Sequence, residues 1–487
     1  MSFSFDSLAH IYKGVYYKMP QSLKTFLGSI YGAIPIEKRY GAAYGDFLNI
    51  FELFERWDDS LREEYLYYKT LETLMFAEQN IAFYQKSFAK YGVSVSDFKT
   101  LSDLKKFPTL TKRDIKEYLD DLYTDVVEKP KAYFSGGSTS SPTKFYHPLY
   151  TGRAKHKAYS IFTLKKVGYN YRDRTLLLKG REVVDKKRDI YWDYEAVENM
   201  LNVTSNYILS DKFELIYKKA NSFKPKFIFG YPSAVLNFMY ATKEAGYDPL
   251  RIEGIILSSE SVHDSYIKEL KEFYGGVPVL IDYGHTERVV GAYRVDLSPY
   301  EFLGVYGISR IVDNEIVGTS LDNFVMPYIN YKSGDETDSK IIFYENSDIA
   351  KSVSNIKGRR GDYLVTYDYR LISLTTLYAG HHLRSDVVAN LQYRQKEPGR
   401  VKAIIEKGKA YNGKDEIYRG LKNLVKDGIE FEVEVVDKIK RSDRGKWIAC
   451  KQDLDIDEIK AKRVENIRIA KERKNKTEME LKAVKSV

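Results

Sequence analysis

One cysteine, Cys450, is all that the 487-residue chain contains. No intramolecular disulfide can form, and a Cys-rich metal site is excluded. No stretch approaches the roughly 18 apolar residues of a membrane-crossing helix. The opening MSFSFDSLAHIYKGVYYKMP lacks a basic region followed by a continuous apolar run, so no targeting signal is read there. Internal repeats and low-complexity linkers are absent as well. Together these absences lead to the expectation of a cytoplasmic protein. Hydrophobic residues at 43% and charged residues at 30% exclude a disordered, collagenous or disulfide-scaffold chain.

What is present in excess is modest charge and much tyrosine. Lys and Arg number 77 against 68 Asp and Glu, a net +9. Over this length the excess suits phosphorylated ligands or an anionic surface and does not point to nucleic acid. The 42 tyrosines are read as core filling, with hydroxyls at the core's edge. The length implies two to four domains.

Residues 1 to about 90 read as helical, from apolar residues at three- and four-residue spacing and few Gly or Pro. Ser102 is a candidate cap for the next short helix, stopped by Pro108, and Thr111 for the one after, with Asp114 in its first turn. From about 130 to 300 short β-rich runs (RTLLLKG, PKFIFGYP, EGIILSSE, VPVLIDYG) alternate with the helical stretches SAVLNFMYATKEAG and SVHDSYIKELKEFYG. That alternation predicts crossovers onto a mostly parallel sheet, whose ligands bind at the strands' carboxyl ends. Residues 300 to 357 read as antiparallel strands. The expected class is α/β (α+β overall): a large domain over 1–360, a small mobile α+β lid over 361–456, and a charged helical tail over 457–487. The tail reads as a solvated terminus, with a basic membrane-surface or partner helix as the alternative.

Five constellations carry chemistry. Ser135 to Lys144 (SGGSTSSPTK) follows the run KAYF, and its small residues, hydroxyls and lysine suit an anion, equally a Gly/Ser surface loop. It is not a Walker loop, since no GKS or GKT follows the glycines. Asp282-Tyr283-Gly284-His285-Thr286-Glu287 ends the strand VPVLI with a hydroxyl and a hard carboxylate fit for Mg2+; a capped helix start reads as well. Tyr331-Lys332-Ser333-Gly334-Asp335 puts a carboxylate after a Gly turn, where vicinal hydroxyls can donate to it, although a plain turn explains it equally. Gly358-Arg359-Arg360-Gly361-Asp362 marks the domain boundary. Arg444-Gly445-Lys446-Trp447 offers a late lysine after a Gly turn, which a surface hairpin also explains.

The order of these motifs resembles the adenylate-forming superfamily of acyl-CoA synthetases, luciferases and peptide-synthetase adenylation domains. The nearer resemblance is to the phenylacetate-CoA ligase and CapK-type capsular polysaccharide branch. LSDLKKFPTLTK, FSGGSTSSPTKF, GYPSAV, IILSSESV, YGHTE, VGTSLDNFVMPYINYKSGD and GRRGDYL carry it, over roughly residues 75 to 452.

The resemblance implies a role for each matching position. Ser138, Thr139 and Lys144 would hold the ATP β- and γ-phosphates. Ser259, Glu260 and Ser261 would flank the adenine, and Tyr283, with Gly284 beside it, would stack on it. Thr286 would bond the α-phosphate and Glu287 would bind Mg2+. Asp335 would take both ribose hydroxyls, with Arg359 in support. Lys446 would bridge carboxylate and α-phosphate during adenylation.

Three positions depart from the family pattern: Ser140 stands for the loop's last Gly, Gly361 for a hinge Asp, and Asp368 for a Gly near the pantetheine tunnel. The implied activity is ATP-dependent activation of a small carboxylic acid, the acyl group passing to an amine, hydroxyl or thiol, in surface-polysaccharide biosynthesis. An aryl- or acyl-CoA ligase is the first alternative, with CoA as acceptor. The second is a non-catalytic nucleotide-binding assembly protein. Peripheral association with membrane assembly machinery is a further implied partnership.

Overall fold

The residues described by the computed structural model are 19–134, 143–179, 189–204, 208, 212–260, 262, 264–337, 340–356, 358–359, 363–369, 371–373, 387–408, 411–425, 428–440, 450–454, 458–459 and 462. They form two compact units that divide between Gly358 and Arg359.

The first unit begins with helices whose apolar faces supply one side of its core. The helix Asp59–Asn80 is capped by Asp58, whose carboxylate accepts from the Leu61 N–H at 2.9 Å, and it buries Leu66, Leu74 and Ala77. The helix Ala42–Arg56 stacks Phe51 on Phe162 of the helix Thr151–Leu164 at 5.6 Å. The short helix Leu101–Lys106 is capped by Thr100 with Asp103, not by Ser102. Thr100 alone precedes the first helical residue, the position from which a hydroxyl reaches the free N–H groups. Thr111 does cap its helix, in a reciprocal box with Asp114.

A hairpin of β1 (Pro130–Phe134) and β2 (Lys144–Pro148) follows, with Phe134 paired to Lys144. Next come β3 (Thr175–Lys179), β4 (Trp192–Glu195), β5 (Met200–Thr204), β6 (Phe227–Gly230), β7 (Gly254–Ser258) and β8 (Val279–Gly284). Helices Phe213–Phe223, Pro232–Glu244 and Asp264–Phe273 cross between β5 and β6, β6 and β7, and β7 and β8. β7 is buried along its whole length, as expected of a strand covered on both faces. Gly230 ends β6 where a Cβ would meet the Leu178 carbonyl at 2.7 Å, so only glycine fits.

β9 (Gly291–Val295) and β10 (Tyr300–Phe302) return without helices and so pair antiparallel. β11 (Gly307–Val312), β12 (Glu315–Ser320) and β13 (Tyr331–Glu336) form a second, antiparallel sheet, and β14 (Ile341–Phe343) and β15 (Ala350–Val353) rejoin the first. The large sheet therefore runs β14-β15-β10-β9-β8-β7-β6-β3-β5-β4, with a parallel block of β5, β3, β6, β7 and β8 between antiparallel flanks. The second sheet closes with β16 (Gly358–Arg359). One continuous core joins these layers, and Tyr44, Tyr84, Tyr328 and Tyr331 are among its fully buried side chains. The hydroxyl of Tyr84 donates to the Pro327 carbonyl at 2.9 Å inside the core, not at the edge where the tyrosine hydroxyls were expected.

The second unit carries the short pair β17 (Tyr363–Val365) and β18 (Leu371–Ser373), then β19 (Val388–Glu397), β20 (Arg400–Lys407), β21 (Glu430–Val436) and β22 (Cys450–Gln452). Its sheet runs β21-β20-β19-β22, with β19 and β20 antiparallel and both outer pairs parallel. The helix Lys414–Val425 buries Ile417 and Leu421 in a core shared with Leu391, Tyr393, Phe431 and the buried Cys450. Asp368 is exposed in the turn after β17, where its carboxylate accepts from the Thr366 hydroxyl. Gly361 lies outside the described residues. So does the tail except for Glu458, Ile459 and Lys462.

Candidate active site

The parallel block ends its strands on one edge, and the polar side chains gather there. The register sets Leu178 of β3 and Leu257 of β7 against Gly230 of β6, and Ser258 of β7 against Asp282 of β8. One residue beyond, Lys179 donates from Nζ to the Ser258 hydroxyl at 3.2 Å and lies 4.1 Å from the centre of the Phe229 ring. Ser259 follows at φ 72°, exposed, with Glu260 beside it half-buried. Asp282 accepts from the Tyr159 hydroxyl at 2.8 Å; burial pushes its carboxyl above the usual range.

β8 delivers Tyr283 and Gly284, and the chain then turns through His285 to Arg288 before β9. Thr286 and Glu287 stand in this turn, not at a helix start. Arg288 takes φ 55°, which reverses the chain faster than a helix allows. Two links anchor the turn to other elements. His147 of β2 meets the Thr286 carbonyl through Nε2 at 3.0 Å. Arg288 donates to the Gly152 carbonyl at 3.0 Å and lies over the Tyr133 ring of β1 at 5.2 Å.

Burial pushes the His147 imidazole down to about 3, aided by the positive charge of Arg288. It is therefore neutral, and because a carbonyl only accepts, Nε2 carries the proton. The hairpin that holds both ends of the SGGSTSSPTK loop is thus tied to the Thr-Glu turn. Lys144 opens β2, exposed, with its ammonium 5.1 Å from the Tyr146 ring centre.

Two hydrogen bonds cross to β13, one from the end of β8 and one from this turn. The Tyr283 hydroxyl donates to Asp335 Oδ2 at 2.7 Å, and the Tyr331 hydroxyl donates to Glu287 Oε1 at 3.1 Å. Asp335 and Glu287 are both buried, at 7% and 2% exposure, so the bonds form in a poorly screened setting. Asp335 reaches this place through a bulge. The β12–β13 register slips between Glu315 and Val317, and Gly334 takes φ 81°. Side chains satisfy what the bulge frees: the Gly334 N–H donates to Glu315 Oε1 at 3.0 Å, and the Asp335 N–H to the Ser333 hydroxyl at 3.1 Å.

Of the residues read from sequence, Tyr283, Gly284, Thr286, Glu287 and Asp335 converge, with Ser259 and Glu260 on the neighbouring strand end. Ser138, Thr139, Ser261 and Lys446 lie outside the described residues. Arg359 lies on β16, and only its backbone is described. Sequence reasoning gave no role to His147, Tyr159, Lys179 or Tyr331. Lys179 had a signal, a cation closing the apolar run RTLLLKG. His147 and Tyr159 had none, because their partners are more than 120 residues away.

No family model matches the chain. It is 22% identical over 405 residues to Protein CapK of Staphylococcus aureus, spanning 79% of this chain and 86% of that protein. A 73-residue stretch is 38% identical to phenylacetate-coenzyme A ligase of Escherichia coli (strain K12), 15% of this chain and 17% of that one. Among solved structures, 2-hydroxyisobutyryl-CoA ligase in the postadenylation state superposes with a TM-score of 0.61 at 14% identity. The superposition covers 85% of this chain and 93% of that one. The chain has the adenylate-forming ligase fold. In that fold the strand-end edge, the Thr-Glu turn and the Gly-Asp bulge form one polar cluster on the first unit.

Proposed function

We propose that the protein is an ATP-dependent ligase that activates a small carboxylic acid as its acyl-adenylate, releasing pyrophosphate. The observation that carries this reading is the pair of hydrogen bonds Tyr283–Asp335 and Glu287–Tyr331. They join two motifs more than 40 residues apart into one site with an aromatic ring, a hydroxyl and two carboxylates. Tyr283 offers a face for adenine, and Asp335 accepts from the ribose hydroxyls. The exposed Thr286 hydroxyl donates to the α-phosphate.

The donor set fits Mg2+. That ion takes one or two protein carboxylates and completes its shell with phosphate oxygens and water. Glu287, a buried carboxylate at the turn after β8, is proposed to hold it; no group of three or more His, Cys, Asp and Glu suited to a metal occurs among the described residues. When bound, the ion would neutralise phosphate charge. Ser138, Thr139 and Lys144 are proposed for the outer phosphates, Ser259, Glu260 and Ser261 for the adenine edge, and Arg359 for the ribose. Lys446, arriving from beyond β21, is proposed to bridge the reacting carboxylate and α-phosphate. A cation placed there lowers the barrier between two anions directly. Residues 361–456 are proposed as the lid that carries it.

We propose an amine or hydroxyl as acceptor of the acyl group, in capsular polysaccharide synthesis; the match to Protein CapK along most of both chains supports the capsular reading. The second reading, a CoA ligase, is favoured by the local match to phenylacetate-coenzyme A ligase. ATP–pyrophosphate exchange across a panel of carboxylic acids tests the activity. The expected result is exchange with one class of acid, lost in Lys446→Ala. No exchange with any acid, with ATP still bound, would leave a nucleotide-binding assembly protein instead. Adding CoA, then sugar amines, to the active pair and identifying the product separates the acceptors.

A further inference from the structure

The helix Gln21–Ala33 is inside out. Its small residues, Gly28 and Gly32, are buried, while its large apolar ones face solvent: Leu23 is 42% exposed, Phe26 62%, Leu27 38% and Ile30 54%. Spacings of three, one and three residues put these four on one stripe, with the glycines on the opposite face. The glycine face is the one fixed to the body of the first unit. Arg172 donates to the Gly32 carbonyl at 2.9 Å, and a Cβ on Gly32 would come within 3.1 Å of the Ala196 carbonyl and that guanidinium. Gln21 donates to the Tyr194 carbonyl at 2.9 Å. Close approach thus explains glycine at position 32, the penultimate residue of the helix. Among the described residues, no packing explains the outward stripe.

Charge decides what covers it. From Ser7 to Ile36 there is no Asp or Glu, while Lys13, Lys18 and Lys24 fall in that span. On the helix, Lys24 and Tyr31 flank the stripe along one side, the arrangement of an apolar face with cationic and amphipathic groups at its margin. An apolar protein partner needs no cationic margin, and a second copy of this chain would bring lysine against lysine. No helix of the described residues is long and apolar enough to cross a bilayer.

We propose that this stripe is a membrane-docking face, lying in the interface of an anionic lipid surface with Leu23, Phe26, Leu27 and Ile30 inserted. Docking would hold the first unit at a membrane. It is independent of the adenylating reaction and of the charged tail.

Flotation of the full-length protein with vesicles tests it. The compared vesicles are pure phosphatidylcholine and phosphatidylcholine with 30% phosphatidylglycerol. The expected result is binding to the anionic vesicles at least about tenfold above neutral ones, weakened by salt. Phe26→Glu with Ile30→Glu should lower it by about tenfold or more while melting temperature and pyrophosphate exchange stay unchanged. Both positions are exposed, so folding should survive, and Lys24→Glu gives a milder second variant that should cut binding severalfold. Val126→Glu, at a valine 70% exposed elsewhere, should change nothing. The proposal is overturned if wild type ignores anionic vesicles, or if the double variant binds as well as wild type. It is also overturned if light scattering shows a wild-type dimer that the double variant breaks, since the stripe then covers a second copy.

Discussion

In the ten-stranded sheet the candidate groups stand where strands stop, whereas in the four-stranded sheet they stand where a strand is bent. Lys179, Ser258, Asp282 and Tyr283 lie in the last residues of β3, β7 and β8, still paired in the ladder but at the edge where these strands end. Asp335 lies inside β13, and only the bulge at Gly334 makes room for its present contacts. The strand-end groups need little beyond the topology of a parallel block. The bulge group needs one residue at positive φ and two borrowed side chains, Glu315 and Ser333. Strand ends are therefore a cheap way to gather function, and a bulge a more exposed one, since a single substitution can undo it.

The largest effect should come from the group the two sheets share. Glu287→Gln keeps shape and burial but removes the anionic oxygen. Adenylation, followed as pyrophosphate release, should fall about 100-fold or more with the fold intact. Equal rates would detach Glu287 from the chemistry and reduce the crossing bond to structure. Next in size is Asp335→Ala. Losing a buried carboxylate that accepts from hydroxyls should weaken ATP binding by about 1.5–3 kcal/mol, measured by calorimetry. Unchanged affinity would mean that the bulge serves only to satisfy Tyr283.

Gly334→Ala separates the two designs directly. No atom lies within 4 Å of the new Cβ, so the cost is conformational, about 1–2 kcal/mol of stability at φ 81°. ATP affinity should fall with it, whereas alanine at the strand-end Gly284, where a Cβ meets only the Val290 carbonyl at an ordinary 3.5 Å, should leave stability within about 0.5 kcal/mol. Equal losses at both sites would break the distinction.

The smallest effect is a slope. Folded His147 titrates at about 3 against about 6.5 unfolded, so between those values the unfolded chain binds the extra proton. Its contribution is fully present above about pH 6.5 and lost as pH falls toward 3, by about 1.4 kcal/mol per pH unit. Denaturant titrations from pH 7 to 5 should show a shallower acid loss in His147→Asn than in wild type. Identical slopes would mean that the imidazole is solvated.

The sequence was legible where physics is local. Alternating strands and helices with GYP punctuation gave the parallel block, because each crossover is a contiguous segment with its own periodicity. Thr111 with Asp114 gave a helix start, because a capping box is complete within four residues. Ser102 failed as a cap by the same standard: capping depends on which residue precedes the first helical one, and Thr100 took that place. The pairing of Tyr283 with Asp335 was not legible, since each residue belongs to a different sheet and nothing near either one encodes the partner.

What the chain determined by itself is therefore its elements, their order and the residues proposed to bind phosphate, ribose and metal. The tertiary structure decided which of them meet. It placed His147 under the Thr286 carbonyl, stripped it of water and so fixed it neutral, which no neighbour in sequence could do. It also turned the helix Gln21–Ala33 glycine-side inward. The amphipathic pattern was written in the chain, but which face met water depended on Arg172 and Tyr194, more than 130 residues away. Periodicity specifies that a face exists; only the packing of distant elements specifies what it faces.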